Sequence, residues 1–323
     1  VILKPYGDAT WERQALGHLG EVRSCLCRSE AELVDAIRDA DILMADVDIQ
    51  VTRAVIQGAK RLRGIMACSI GVDYIDLDAA TAAGIPVANL PDYCVNAVAE
   101  FTIGLFLSVG RKICAASRAV LQHQWEERRR LRGFELAGKH LGLVGFGKIG
   151  QAVGRKAACL GMRVSYYDPF LSGDSPVPGC SRSGNLEELL EVADVVSVHT
   201  ALTRDTLNLI DYRAMTKMKK TAILVNVARG GIVNEEDLAR ALREGLLAGV
   251  GLDVLVTEPI VQKHPLLALE NVVITPHMAW NTHEAKENSK HSIVEEVSRM
   301  AAGQLPQNLV NKEVASRLRK ERG

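Results

Sequence analysis

An excess of charge of either sign is missing: 39 Lys and Arg face 39 Asp and Glu, a formal net charge of zero. That removes the broad attraction by which a nucleic-acid or anionic-membrane binder gathers its partner, so neither partner is expected. A long hydrophobic run is missing too. Spanning a bilayer takes about 18 consecutive apolar residues, and the richest stretch, residues 101–109, is interrupted by Thr102, Gly104 and Ser108. The first ten residues, VILKPYGDAT, hold no charged segment leading into an apolar one, and no initiator methionine precedes them. No secretory signal is expected within them. There is no CxxC pair, and the seven cysteines (25, 27, 68, 94, 114, 159 and 180) are odd in number, several in apolar runs. Reduced, mostly buried thiols of a cytoplasmic protein are expected, with no disulfide framework and no metal site. Internal repeats and low-complexity segments are likewise missing.

What is there is ordinary globular composition, 47% apolar and 24% charged over 323 residues, enough chain for two domains. Short Val/Ile/Leu-rich runs at residues 42–47, 64–68, 140–144, 163–167, 195–199, 222–227, 250–254 and 272–275 read as strands. Most are continuously apolar rather than alternating, as parallel strands buried on both faces require. Helical patterns at 149–160, 185–192 and 235–244 lie between them, giving an α/β protein of two doubly wound domains. A long apolar helix is expected from residue 95 to about 121, followed by a charged run at 126–133 that reads as solvated surface. The tail carries Ile293, Val297 and Met300 at helical spacing. A discontinuous first domain, 1–95 plus 290–323, is expected to enclose a dinucleotide-binding domain at 96–289. The last residues, RLRKERG, are expected to form a frayed end.

Gly145, Gly147 and Gly150 form a GxGxxG loop directly after an apolar strand and at the start of a helix. Gly145 permits the tight turn, Gly147 lets backbone approach a pyrophosphate, and Gly150 lets helix pack on strand, with the helix N-terminus facing the phosphates. Asp168 closes the next strand, where a carboxylate binds both ribose hydroxyls and repels a 2′-phosphate, so the expected cofactor is NAD. Three later strands end in Arg229, in Asp253 and Glu258, and in His277. Ligands of an open parallel sheet bind at the carboxyl ends of strands. An arginine there can hold a carboxylate and polarise a carbonyl, a histidine can pass the proton, and an acid can keep that imidazole charged.

These motifs make the chain recognisable. CSIGVDYID, NAVAEFTIGL, GKHLGLVGFGKIG, NVARGGIVNEEDLARAL, GLDVLVTEP and TPHMAW, in this order, resemble the D-isomer-specific 2-hydroxyacid dehydrogenases. The resemblance implies a Rossmann NAD-binding domain inserted into a flavodoxin-like substrate domain. It implies interconversion of a 2-oxo acid and the D-2-hydroxy acid, with Arg229, Glu258 and His277 as catalytic set and His277 as proton donor or acceptor. Cofactor contacts are implied at Lys148, Ile149, Thr200, Thr206, Val227, Ala228, Asp253 and Ala279, besides the glycines and Asp168. Substrate contacts are implied at the turn Ser69, Ile70 and Gly71, whose N–H groups meet a carboxylate, and at Arg229, His277 and Trp280. Domain closure over the hydride path is implied as well, and so is a homodimer joined near the long helix from residue 95 and the segment after it.

Several readings stay open at this level. Asp253 faces the nicotinamide carboxamide or caps a loop; Trp280 walls the pocket or packs; His199 is favoured as a packing residue, and Asn96 as a helix N-cap. A proline usual in relatives is replaced by Ala201 in HTALTRDT (199–206), which should loosen that loop, and Arg204 adds a charge. The substrate, whether 3-phosphoglycerate, hydroxypyruvate or glyoxylate, is open, and Lys4 or Arg128–Arg130 could serve a phosphate. An NAD(H)-sensing, corepressor-like binding module is the alternative function.

Overall fold

The computed structural model describes residues 1–260 and 262–322, with side chains as far as residue 317. The chain divides into two compact units, Val1–Cys94 with His283–Gly323, and Val95–Thr282. The sequence reading put the second crossing at residue 289. Contacts put it after residue 282, because His283–Ala301 is one continuous helix.

The first unit is built on five parallel strands: β1 (Ile2–Lys4), β2 (Val22–Ser24), β3 (Ile42–Ala45), β4 (Gly64–Ala67) and β5 (Val87–Ala88). Their order, β2-β1-β3-β4-β5, is the flavodoxin-like one. Every residue of β3 and β4 is buried, which is why both read as unbroken apolar runs. Leu33, Ile37, Val55 and Ile56 cover one face. Ile293, Val297 and Met300 from the C-terminal segment cover the other. Gly64 makes room for the latter, since a Cβ there would lie 2.4 Å from the Met300 sulfur. Ser29, Thr52 and Asp76 start three helices by accepting a first-turn N–H on their side chains.

The second unit carries seven parallel strands: β6 (His140–Val144), β7 (Arg163–Tyr167), β8 (Cys180–Arg182), β9 (Val195–Val198), β10 (Ile223–Asn226), β11 (Gly249–Leu252) and β12 (Val272–Ile274). The order β12-β11-β10-β9-β6-β7-β8 is the dinucleotide-binding arrangement with one strand added, and it reverses between β6 and β9. Register does the rest. Val144, Val198, Asn226, Leu252 and Ile274 are paired across successive strands. The residues that follow them, Gly145, His199, Val227, Asp253 and Thr275, therefore leave the sheet along one edge.

Three expectations need correction. The helix expected from 95 to 121 is two helices, Val95–Gly110 and Ile113–Leu121, with Lys112 between them at a φ of 59°. Gly110 lies under the Phe134 ring, where a Cβ would come within 2.8 Å, and the chain turns there. Asn96 is not an N-cap, because the helix already begins at Val95. The expected frayed end is helical in its backbone, Glu313–Arg322, and its side chains from residue 318 lie outside the described residues.

Candidate active site

At the strand-order reversal, β6 runs into the glycine loop. Gly145 has a φ of +91°, and a Cβ on it would sit 2.7 Å from the Thr200 nitrogen. A Cβ on Gly150 would sit 2.5 Å from the Gly145 carbonyl oxygen. Both positions are thus closed by protein. Gly147, at the start of the helix Lys148–Cys159, is the reverse: its Cβ would meet no protein atom within 4 Å. Two glycines shape the turn while the third leaves its backbone approachable, as a pyrophosphate cradle requires. Lys148 is exposed beside it and Ile149 half-buried. Asp168 accepts from the Phe146 N–H at 2.8 Å and the Phe170 N–H at 3.0 Å. Each oxygen keeps a second lone pair for a ribose hydroxyl. These residues fit a dinucleotide.

Next along the edge, His199 pairs its Nε2 with the Ser197 hydroxyl at 2.8 Å, and burial pushes the imidazole down to about 3. It is a neutral packing residue at working pH. Thr200 beside it is half-buried. Thr206 accepts from the Thr203 N–H at 2.7 Å and donates to the Ala201 carbonyl at 2.6 Å. That hydroxyl ties the loop that lacks its proline, and Arg204 is exposed on it.

The strand ends β10, β11 and β12 bring Arg229, Glu258 and His277 together. Asn226, fully buried, accepts the Ala228 N–H and donates to the Arg229 carbonyl at 2.8 Å. Val227 and Ala228 lie within this turn, the first buried and the second half-buried. The Arg229 guanidinium donates to the Ala228 carbonyl at 2.9 Å. Glu258 accepts the Leu255 N–H on one oxygen at 2.8 Å and meets His277 Nδ1 on the other at 2.7 Å. With Nδ1 engaged by a carboxylate, Nε2 is the ring atom left to exchange a proton. The hydrogen bond to Glu258 raises the imidazole above its ordinary range against the opposing effect of burial, Glu258 and Asp253 add to the rise, and the Arg229 charge moderates it. Burial pulls Glu258 upward. The bonds from His277 and Leu255, with the His277 and Arg229 charges, outweigh it and hold the carboxyl below its ordinary range.

His277 is held in the left-handed region, at a φ of 49°. Asp253 explains how. Its buried carboxylate accepts from Thr275 Oγ1 at 2.6 Å, the Met278 N–H at 3.0 Å and the Ala279 N–H at 2.8 Å, while its own carbonyl takes the His277 N–H at 2.8 Å. This geometry caps the loop. Trp280 remains about 38% exposed, and its indole N–H donates to the His277 carbonyl at 3.1 Å. Sequence reasoning missed Asn226 and Thr275. The one signal for Asn226 was a polar residue closing an otherwise apolar strand.

In the first unit, Ser69 spends its hydroxyl on the Gly71 carbonyl at 2.8 Å and Tyr74 at 2.9 Å, and Asn89 donates to the Ile70 carbonyl at 2.7 Å. Side chains thus fix the carbonyls of this turn, and what it can offer an anion is backbone N–H. No group of three or more His, Cys, Asp or Glu able to hold a metal occurs among the described residues. No helix among them is long and apolar enough to cross a membrane.

Residues 103–279 match the model for the D-isomer specific 2-hydroxyacid dehydrogenase NAD-binding domain. The chain belongs to that family. Its member is 40% identical to a glyoxylate reductase of Thermofilum pendens, over 88% of this chain and 86% of the relative. It is 39% identical to a D-3-phosphoglycerate dehydrogenase of Methanocaldococcus jannaschii over 92% of this chain, which spans 56% of that relative's length. The crystal structure of a D-lactate dehydrogenase from Aquifex aeolicus, complexed with NAD and lactic acid, superimposes with a TM-score of 0.87 at 27% identity, covering 96% of this chain and 98% of that one. As a 2-hydroxyacid dehydrogenase family enzyme, the chain carries an NAD-binding domain, and the glycine loop with Asp168 is the part of the second unit that fits the dinucleotide.

Proposed function

We propose that this enzyme interconverts a 2-oxo acid and the corresponding D-2-hydroxy acid. The observation that carries the reading is the His277–Glu258 contact at 2.7 Å, with the Arg229 charge acting on both members of the pair. NAD, when bound, supplies the hydride chemistry. Arg229 holds the substrate carboxylate and polarises the 2-oxo group. His277, as imidazolium, gives its proton to the oxygen that becomes the hydroxyl, and in the reverse direction takes it back. Because Glu258 raises the imidazole, reduction is supported at low pH and lost as pH rises through the His277 pKa, and oxidation runs the opposite way. Trp280, tied to the His277 carbonyl, bounds the space beside the imidazole.

In this reading the second unit is the NAD-binding domain and the first the substrate domain, with the N–H groups of Ile70 and Gly71 in the Ser69 turn meeting a carboxylate. Asp168 favours NAD over NADP by repelling a 2′-phosphate. Two observations favour small, unphosphorylated substrates such as glyoxylate or hydroxypyruvate over 3-phosphoglycerate. Lys4 is buried, with its ammonium on Glu12 and the Asp8 carbonyl, both at 2.7 Å. Arg128, Arg129 and Arg130 lie on an exposed turn, paired with Glu126 and Glu127. A homodimer is part of the proposal, joined through the exposed part of the helical stretch from residue 95 and the segment after it. Val98, Leu105, Phe106 and Val109 are buried within the second unit, whereas Ile113, Val120, Leu121 and Trp125 are more than half exposed. Only Cys94 and Cys180 of the seven cysteines are buried, against the expectation of mostly buried thiols, and the cytoplasmic setting stays a proposal from the sequence.

The test is oxidation of NADH against a panel of 2-oxo acids that includes 3-phosphohydroxypyruvate. Turnover of glyoxylate to glycolate and of hydroxypyruvate to D-glycerate, with the phosphorylated acid the poorer substrate, is expected. A protein that binds NADH and turns over no 2-oxo acid overturns the reading.

A further inference from the structure

A second glutamate–histidine pair lies close to the first. Glu235 and His264 meet at 2.9 Å, Oε2 to Nε2, with only 13% and 10% of their side chains exposed. The other Glu235 oxygen accepts the Val256 N–H at 2.6 Å. The remaining His264 nitrogen, Nδ1, accepts the Leu266 N–H. With Nδ1 an acceptor, the ring proton of neutral His264 sits on Nε2 and points at Glu235, so the pair is satisfied without an imidazolium. Glu235 opens the helix Glu235–Arg243.

The Val256 N–H is not an arbitrary partner. The N–H before it, of Leu255, is the one held by Glu258. The peptide joining Leu255 to Val256 also lies against Gly230, the residue after Arg229. A Cβ on Gly230 would come 2.0 Å from the Leu255 carbonyl carbon and 2.3 Å from the Val256 nitrogen. Two successive peptides, hinged at Leu255, are therefore held: 254–255 by Glu258, and 255–256, which packs on Gly230, by Glu235.

Building on the functional reading above, we propose that Glu235 and His264 are positioning residues, a buried brace that fixes the 255–256 peptide and through it the placing of Glu258 against His277. Glu235→Gln keeps the volume and disrupts the brace. If its amide oxygen serves the Val256 N–H, its NH2 meets the Nε2–H of His264. The ring must then move its proton to Nδ1, where it faces the Leu266 N–H. His264→Gln keeps a donor toward Glu235, whereas His264→Leu does not.

The experiment has two readouts on the full chain: steady-state reduction of glyoxylate or hydroxypyruvate, and NMR titration of the His277 imidazole, which needs no turnover. The charged groups facing that imidazole are Glu258, Arg229 and Asp253. Glu235→Gln is expected to lower kcat by about ten- to a hundredfold, as a small misplacement in a site can. KM for NADH should hold, and the His277 titration should move toward lower pH. His264→Leu should do the same and His264→Gln should restore most of the activity. A Glu235→Gln or His264→Leu protein that is less stable but titrates His277 as wild type does overturns the brace. Should wild type reduce no 2-oxo acid, the functional reading falls and the titration alone decides the brace.

Discussion

Two sheet edges in this molecule obey one rule and do different work. Both sheets are parallel, and both leave their chemistry at the carboxyl ends of strands. On the second unit that edge carries side chains with protons and charge to offer: Arg229, Glu258 and His277. Loops there are cross-linked by carboxylates that accept backbone N–H groups, as Asp253 does for residues 278 and 279 and Glu258 for residue 255. On the first unit the polar side chains are turned on one another, Lys4 on Glu12 and Ser69 on Tyr74. What is left there is backbone. The contrast is between an edge whose carboxylates hold loop N–H groups beside a histidine and an arginine and one whose polar side chains bond each other. An edge whose side chains satisfy each other can recognise a ligand and do little else.

Removing the second unit's cation breaks that comparison most sharply. Arg229→Ala is expected to lower kcat/KM for a 2-oxo acid by about a hundred- to a thousandfold, the scale of losing one charged stabiliser from a site. Steady-state kinetics check it. Glu258→Gln should act through His277 and lower kcat by about tenfold or more. It takes away the hydrogen bond that raises the imidazole, so the pH at which reduction is lost should move down. A pH profile that stays put contradicts the pairing.

Within the second unit the glycines separate shape from approach. Gly145→Ala is expected to destabilise the protein by about 1–3 kcal/mol from its left-handed φ alone, seen in denaturant melts. Gly147→Ala should leave the melt unchanged and weaken NADH binding, measured by calorimetry, because its Cβ meets no protein atom. The smallest effect belongs to the first unit. Ser69→Ala should cost about 1 kcal/mol of stability through its lost hydrogen bonds, with KM for the 2-oxo acid scarcely changed.

Legibility did not follow that divide. β9 and β10 could be read because burial on both faces leaves them apolar apart from Ser197 and Asn226. β1, β2, β5 and β8 could not, being two or three residues long and too short to show a period. The break at Gly110 was hidden because its cause, the Phe134 ring, lies 24 residues on. Arg229, Glu258 and His277 stood out because each follows an apolar strand and is reactive by type. Asp253 was visible but its role was not, since its partners are N–H groups of a loop more than 20 residues later, and amide groups leave no mark on sequence. Glu235 and His264 went unnoticed for the same reason. A glutamate in a helix's first turn looks like ordinary dipole compensation until its second oxygen is followed to Val256.

The most direct test of the central claim is the rate at which His277→Asn reduces glyoxylate or hydroxypyruvate with NADH, measured beside wild type at a pH where wild type is fully active. A fall in kcat of about a hundred- to ten-thousandfold, with NADH binding intact, is the expected result for loss of the proton donor. A variant that binds NADH and reduces the same acid at the wild-type rate would contradict it.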